Sequence, residues 1–253
     1  MQNPLITVIT STLNASRELP YLSHSLAIQT YQNFEWLIVD GGSTDKTLEF
    51  IKKDNRSKLI CSEQDKGIYE AWNKGLNYAN GEWILFLGAD DLIVNENIFQ
   101  NFSEFTEKIP KSTDIIYGKV IADENIIGKK ILNLKKEIKK KMCLCHQATF
   151  HNKDIFKKVG FFKDSYKISG DYELLLRSIV KHNKKAIFIN QLITLMGTSG
   201  ISTNKCNGYL SAIENYRSRK DNDIFPINLI WIRHYIAAIY YKIYYFLKKF
   251  IKN

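Results

Sequence analysis

Residues Trp83 to Leu87 form an unbroken apolar run that ends in Gly88-Ala89-Asp90-Asp91. A run without polar alternation is a strand buried on both faces, and such strands belong to parallel sheets covered by helices on either side. Its acids then arrive at the carboxyl end of the strand, where open α/β sheets bind ligands, and adjacent carboxylates there can hold a hard divalent cation that meets a phosphate. The competing reading is a helix cap, with Asp90 or Asp91 opening a helix that carries Ile98, Phe102 and Phe105.

The same strand signal recurs upstream. Ile6 to Thr10, Trp36 to Asp40 and Leu59 to Cys61 read as strands. Helices are expected between them, one with Leu19, Leu22, Leu26 and Ala27 on a face, one capped by Ser43 with Leu48 and Ile51, and one with Ile68, Trp72, Leu76 and Ala79 at 3.6-residue spacing. This β-α order predicts a Rossmann-like, mainly parallel α/β sheet flanked by helices. Right-handed crossovers then bring Asp40 and Asp90/Asp91 to one sheet edge, within reach of a single ligand. Beyond Ile109-Pro110, strands are expected at Ile115 to Tyr117, Val120 to Ile121 and Ala186 to Ile189, the last extending to Leu195. Helices are expected around Lys153 to Val159 and Asp171 to Lys181, and the lysine-dense stretch Lys135 to Met142 reads as a loop or solvated helix.

Charge divides the 253-residue chain unevenly. Residues 1–110 carry 9 Lys and Arg against 15 Asp and Glu, and residues 111–253 carry 27 against 11, which together make the net +10. An acidic front half suits a cation-assisted site, and a basic back half suits an anionic surface, either nucleic acid or a membrane leaflet. From Pro226 onward, isoleucines and aromatic rings interleave with Arg233, Lys242, Lys248, Lys249 and Lys252. Arg233 and Lys242 would each cost roughly 2.5–3.5 kcal/mol near a bilayer centre, so an interfacial amphipathic helix fits better than a spanning one. Docking of that helix on the core or on a second protomer is the alternative. The first residues, Met-Gln-Asn-Pro, lack a basic n-region, and the apolar stretch Leu5 to Ile9 is short for a signal core, so a cytoplasmic chain is expected. Cys61, Cys143, Cys145 and Cys206 suit a reducing compartment. Cys143-x-Cys145-His146, with His151 nearby, lacks the paired spacing of a zinc site and reads as buried thiols.

Four motifs then fall in order: Ser11-Thr12-Leu13-Asn14, Asp40-Gly41-Gly42-Ser43-Thr44-Asp45, Asp65-Lys66-Gly67 and Gly88-Ala89-Asp90-Asp91. Together they closely resemble the family 2 inverting glycosyltransferases with the GT-A fold, over about Leu5 to Leu195. Asp65 to Gly75 and His146-Gln147 resemble the branch found in bacterial O-antigen and capsule gene clusters.

The resemblance implies that Ser11, Thr12, Leu13, Asn14, Asp40, Asp65, Gly67, Asn73 and Asp90 bind a nucleotide-sugar, with Asp40 on the base and Asp90 facing the ribose. It implies that Asp91 coordinates Mn²⁺ or Mg²⁺ on the diphosphate. Leu13 stands where the commoner Thr-Tyr-Asn version has a stacking ring, which leaves UDP, dTDP and GDP open. Ser169-Gly170-Asp171 resembles the family's base segment, usually Glu-Asp, with Gly170 in place of the Glu and Asp171 kept as general base. Asp171 is otherwise a helix cap, yet capping does not explain why several separate segments all end in acids. His146 and Gln147 are expected on the acceptor side, with a buried structural histidine as the other reading. Arg177 reads as a packing or salt-bridge residue.

The expected organisation is a nucleotide-sugar-binding half over residues 1–110, an acceptor-side half over 111–205, and a basic aromatic tail over 206–253. The expected activity is an inverting transfer from a nucleotide diphosphate sugar to a lipid-linked oligosaccharide at the anionic inner membrane surface, without nucleic acid as a partner. A basic polyanion or nucleic-acid binder, with the acids as caps, is the alternative from another class. A sugar nucleotidyltransferase would need a Gly-rich pyrophosphorylase loop, which the front of the chain lacks.

Overall fold

The computed structural model describes residues 3–197 and 207–224, together with Ile236, Ile239, Tyr240, Ile243 and Tyr244. Four parallel strands, β1 (Ile6–Thr12), β2 (Phe34–Asp40), β3 (Ser57–Ser62) and β4 (Trp83–Gly88), alternate with helices α1 (Leu19–Ala27), α2 (Thr47–Lys53) and α3 (Ile68–Tyr78). The chain continues through β5 (Leu92–Ile93), α4 (Ile98–Lys108), β6 (Ile115–Ala122), β7 (Asn125–Ile127), α5 (Leu134–Ile138), β8 (Thr149–Asn152) and α6 (Asp154–Val159). It then forms α7 (Gly170–Leu176), a π-helical turn at Arg177–Lys181, β9 (Ala186–Leu195) and α8 (Gly208–Asp221).

The strands make one sheet in the order β3-β2-β1-β4-β8-β6-β9-β5, with β7 hairpinned onto β6. Strand β8 lies antiparallel between β4 and β6, so it joins the parallel front half to the back half in one continuous sheet. The sequence expectation lacked β8, whose four residues Thr-Phe-His-Asn are too short and mixed to carry a periodic signal.

Alternation along β4 sends its side chains to two cores. Ile84 and Phe86 pack with α3 and α7 through Trp72 and Leu175. Trp83, Leu85 and Leu87 pack with α1 and α4 through Leu22 and Phe102. All five are at most 3% exposed, which is why the run reads as continuously apolar. Each fully buried aliphatic chain of this kind contributes about 1.5–3 kcal/mol.

Register aligns the ends that matter. Thr12 is paired with Asp40, and Ser11 with Gly88, so β1, β2 and β4 finish at one level. Helix α4 begins at Ile98 after an Asn97 N-cap, which removes the capping explanation of Asp90 and Asp91. The N-cap of α7 is Ser169 rather than Asp171. Helix α2 starts at Thr47, so Ser43, expected as its cap, is free to serve the strand ends instead. The lysine-dense stretch contains α5, with Lys135, Lys136, Lys139, Lys140 and Lys141 exposed.

Candidate active site

The strand ends enclose a pocket of about 500 Å³ that takes in Ser11 to Ala15, Asp65, Gly67, Gly88 to Asp91, His146, Gln147, Asp171 and Gly197. Its foundation is Asp40, which is fully buried. The Asp40 carboxylate accepts hydrogen bonds from the hydroxyls of Thr12 (2.9 Å), Ser43 (2.6 Å) and Ser62 (2.7 Å) and from the N–H groups of Gly42 (3.1 Å) and Ser43 (2.9 Å). Burial pushes its pKa up, but the bonds from Ser43, Ser62 and Thr12 outweigh that and hold it below the ordinary carboxylate value. Asp40, expected at the base, is not among the residues that line the pocket, and its oxygens take five hydrogen bonds from Thr12, Gly42, Ser43 and Ser62.

Ser43 passes the order outward. Its hydroxyl accepts the Asn14 N–H at 2.8 Å, and the Asn14 side chain accepts the Thr44 N–H at 2.9 Å. Asn14 itself has a φ of 52°, a left-handed turn that asparagine tolerates better than most residues. This turn leaves Leu13 64% exposed at the pocket, an apolar face available to cover a flat ligand. Asp65 accepts the Gly67 N–H at 2.8 Å, and its other oxygen lies 3.0 Å from where a Cβ on Gly41 would sit. Asn73 stands apart from the pocket: its amide is spent on both backbone groups of Phe162, at 2.9 and 3.0 Å.

Asp90 and Asp91 differ in exposure. Asp91 is 3% exposed, and its oxygens accept the N–H groups of Gly88 (2.7 Å) and Gly197 (2.9 Å). Burial pushes its pKa up to about 7, with the neighbouring Asp90 carboxylate adding to the rise. Asp90 is partly exposed and lines the pocket. A Cβ at position 88 would lie 2.9 Å from Asp90 Oδ1 and one at position 197 would lie 2.1 Å from Asp90 Cγ, so a side chain at either place would displace the Asp90 carboxylate. Asp91, expected at the metal, is thus the enclosed member of the pair, and Asp90 is the open one. Hard oxygen donors, an acid pair disfavoured as two free charges, and glycines that clear space around it fit a divalent cation.

In the same lining, Asp171 accepts the Tyr172 N–H at 2.8 Å and faces the Tyr69 hydroxyl at 3.4 Å. Loss of hydration pushes its pKa up to about 6, close to what a general base working near neutrality needs. His146 is 4% exposed and packs against Trp72 (5.0 Å) and Phe86 (5.3 Å), which also touch each other (4.9 Å). Neither ring nitrogen has a hydrogen-bond partner, and burial next to His151 holds it neutral, well below the ordinary histidine value. Gln147 lines the same wall, and its carbonyl accepts from Thr194 at 2.6 Å. Arg177 is committed to Glu173 (2.9 Å) and to the carbonyls of Val159, Gly160 and Phe161, a packing role.

Sequence reasoning missed Tyr69 and Lys167 as members of this site. Tyr69 was visible only as part of the Asp65 to Gly75 motif, and Lys167 belongs to no motif.

Among the described residues, the pocket lining holds Glu18, Asp65, Asp90, Asp91 and Asp171 against Lys167. Such a pocket repels a bare diphosphate and accepts one accompanied by a cation.

The comparisons with known proteins agree with this fold. A mannosyltransferase from Pyrobaculum calidifontis, solved with GDP-Man and Mn²⁺, superposes with a TM-score of 0.66 at 14% identity, covering 95% of this chain and 70% of that one. Staphylococcus aureus TarS (residues 1–349), solved with UDP, gives 0.65 at 20% identity, covering 87% and 67%. The PGL/p-HBAD biosynthesis glycosyltransferase of Mycobacterium bovis is 34% identical over 182 residues, 70% of each chain. The Escherichia coli UDP-Glc:α-D-GlcNAc-diphosphoundecaprenol β-1,3-glucosyltransferase WfgD is 33% identical over 135 residues, 51% of each. Residues 7–160 match the model of glycosyl transferase family 2, and with the 34% identity to the Mycobacterium bovis enzyme this makes the chain a member of that family.

Proposed function

We propose that this glycosyltransferase moves one sugar, with inversion, from a nucleotide diphosphate sugar, in the first instance a UDP-sugar, to a hydroxyl of a lipid-linked oligosaccharide in the assembly of a surface polysaccharide such as O-antigen or capsule. The observation that carries the reading is the presence of Asp90, Asp91 and Asp171 in the lining of one pocket. Support for the donor comes from the UDP in the TarS complex and the UDP-Glc in the name of WfgD, and for the acceptor from the diphosphoundecaprenol in that name.

Leu13 covers the base, and Asp65, on the pocket wall beside Gly41, offers the carboxylate that can accept an imide N–H. Asp90 and Asp91 would hold Mn²⁺ or Mg²⁺, Asp90 from the pocket lining, where it is partly exposed, and Asp91 as the buried partner that fixes the strand end. The cation supplies charge neutralisation for the leaving diphosphate. Asp171 removes the proton of the acceptor hydroxyl as it attacks the anomeric carbon, and one displacement inverts that centre. His146 and Gln147 form the wall where the acceptor sugar rests.

The tail supports work at a membrane. Ile236, Ile239, Tyr240, Ile243 and Tyr244 are helical and each at least 44% exposed, and their spacing forms one apolar stripe. Among the described residues, no helix is long and apolar enough to cross a membrane. An anionic cytoplasmic leaflet suits this stripe and the lysines around it. The polyanion-binder reading is not favoured, because neither acid segment caps a helix.

The test is calorimetric titration of UDP, dTDP and GDP, with and without Mn²⁺, on the wild type and on Asp90→Asn and Asp91→Asn. Metal-dependent binding of one nucleotide, weakened at least about tenfold in Asp90→Asn, supports the donor site. No binding of any nucleotide by the folded protein overturns it.

A further inference from the structure

Helix α8 lies beyond the part of the chain that the family model matches, yet it reaches the reaction site. Its Glu214 is 5% exposed, and one carboxylate oxygen accepts the Lys167 N–H at 2.7 Å while the other accepts those of Ile168 and Ser169, each at 2.8 Å. Three successive N–H groups that converge on one anion form a nest, and the occupant here is a side chain 45 to 47 positions further along the chain. Ser169, the N-cap of α7, makes no side-chain capping bond, and its own N–H is one of the three that Glu214 accepts.

The nest sits two residues before Asp171, and it is held from the other side as well. The Ile168 carbonyl accepts the Tyr69 hydroxyl at 2.6 Å. Helix α8 is itself fixed against this region: Asp221 meets Lys163 (3.0 Å) and Tyr166 (3.2 Å), Arg217 lies over the Tyr166 ring at 4.7 Å, and Arg219 meets the Tyr172 hydroxyl at 3.1 Å.

We infer that Glu214 is a positioning residue for the transfer reaction: it locks residues 167–169 so that Asp171 enters the pocket at one fixed angle. The inference rests on the proposed role of Asp171 as base. Geometry gives the reason for a carboxylate in particular. Two oxygens are needed to accept three diverging N–H groups, and an amide has one acceptor oxygen and would turn its NH₂ against the remaining donors.

A second consequence follows from charge. The titratable groups facing Asp171 are Tyr69 from α3 and Glu214 from α8, with Lys167 exposed in the loop between. Burial is the main cause of the raised Asp171 pKa, and the Glu214 carboxylate pushes it in the same direction. Neutralising Glu214 therefore lowers the pH at which Asp171 gives up its proton.

The experiment compares wild type, Glu214→Gln and Glu214→Ala for nucleotide affinity, kcat, KM and the pH profile of kcat/KM, with amide hydrogen exchange at residues 167–169. The expected result is nucleotide affinity unchanged within about twofold and kcat lowered by about 10–100-fold, the scale of a misplaced catalytic group. The acid limb in Glu214→Gln should move to lower pH, and exchange at 167–169 should rise at least about tenfold while the β1 and β4 amides stay protected. Loss of kcat with an unmoved acid limb and unchanged exchange would indicate a merely structural side chain and overturn the inference. So would full activity in both variants. A wild type that binds no nucleotide and transfers no sugar overturns the proposed function and the catalytic part of this inference together. Unchanged exchange in Glu214→Ala overturns the clamp alone, whatever the enzyme does.

Discussion

The Tyr69 ring occupies the room that a side chain at position 170 would need, since a Cβ on Gly170 would lie 2.8 Å from Tyr69 Cε2 and Cζ. The glycine that stands where the family resemblance implies a Glu is therefore matched by an aromatic ring from α3, whose hydroxyl donates to the Ile168 carbonyl. That ring is only 3% exposed, packed against Trp72 and Phe162, and has little freedom to withdraw. Gly170→Ala should destabilise the protein by about 1–3 kcal/mol through overpacking, read as a lowered thermal midpoint. Unchanged stability would mean that the ring moves aside at no cost.

Asp171→Asn should abolish transfer and stabilise the fold at the same time. The folded-state pKa is raised to about 6 from an ordinary 3.8, so ionising Asp171 at neutral pH works against folding. Stability is fully present below the ordinary carboxylate value and is lost as pH rises through about 6. The variant should gain about 1–3 kcal/mol at pH 7, and the gain should vanish in acid, where both forms are uncharged. Urea denaturation at the two pH values checks this. A variant that keeps transfer would remove Asp171 as the base.

For Asp40 the sign is opposite. Its depressed pKa means that its contribution is present above the ordinary carboxylate range and is lost as pH falls through the folded value. Asp40→Asn turns two of its acceptor sites into donors against hydroxyls and N–H groups already aimed at them, at a cost of about 2–4 kcal/mol. Chemical denaturation should report that cost. A stable Asp40→Asn that loses only nucleotide binding would return Asp40 to the base.

Ile239→Glu combined with Ile243→Glu should release the protein from vesicles containing anionic lipid, since each residue gives up an apolar side chain at the same stripe. Flotation on liposomes measures this, and high salt should weaken wild-type binding. Retention of the double variant would assign the tail to packing.

The parallel front half was legible because β1, β2 and β4 are buried on both faces, so their apolar runs admit few other structures. The acids at their ends were equally legible, but their division of labour was not. Whether Asp40 faces a ligand or five donors depends on Thr12, Ser43 and Ser62 meeting it from three segments, which is a property of register. Likewise, the enclosure of Asp91 depends on the N–H of Gly197, 106 residues away, as well as on that of Gly88. Glu214 gave no signal because a lone acid in a charged helix looks like any solvated residue until the loop that it binds is in place.

The two-sided grip of Asp91 also constrains how donor preference can change. One oxygen holds the exit of β4 and the other the exit of β9, so a single carboxylate rivets the first half of the sheet to the chain leaving its last long strand. A substitution that shifts the donor acids by reshaping one exit must drag the other with it. Specificity in this enzyme should therefore diversify in the walls, at Leu13, Asp65 and Gln147, while the riveted corner stays as it is.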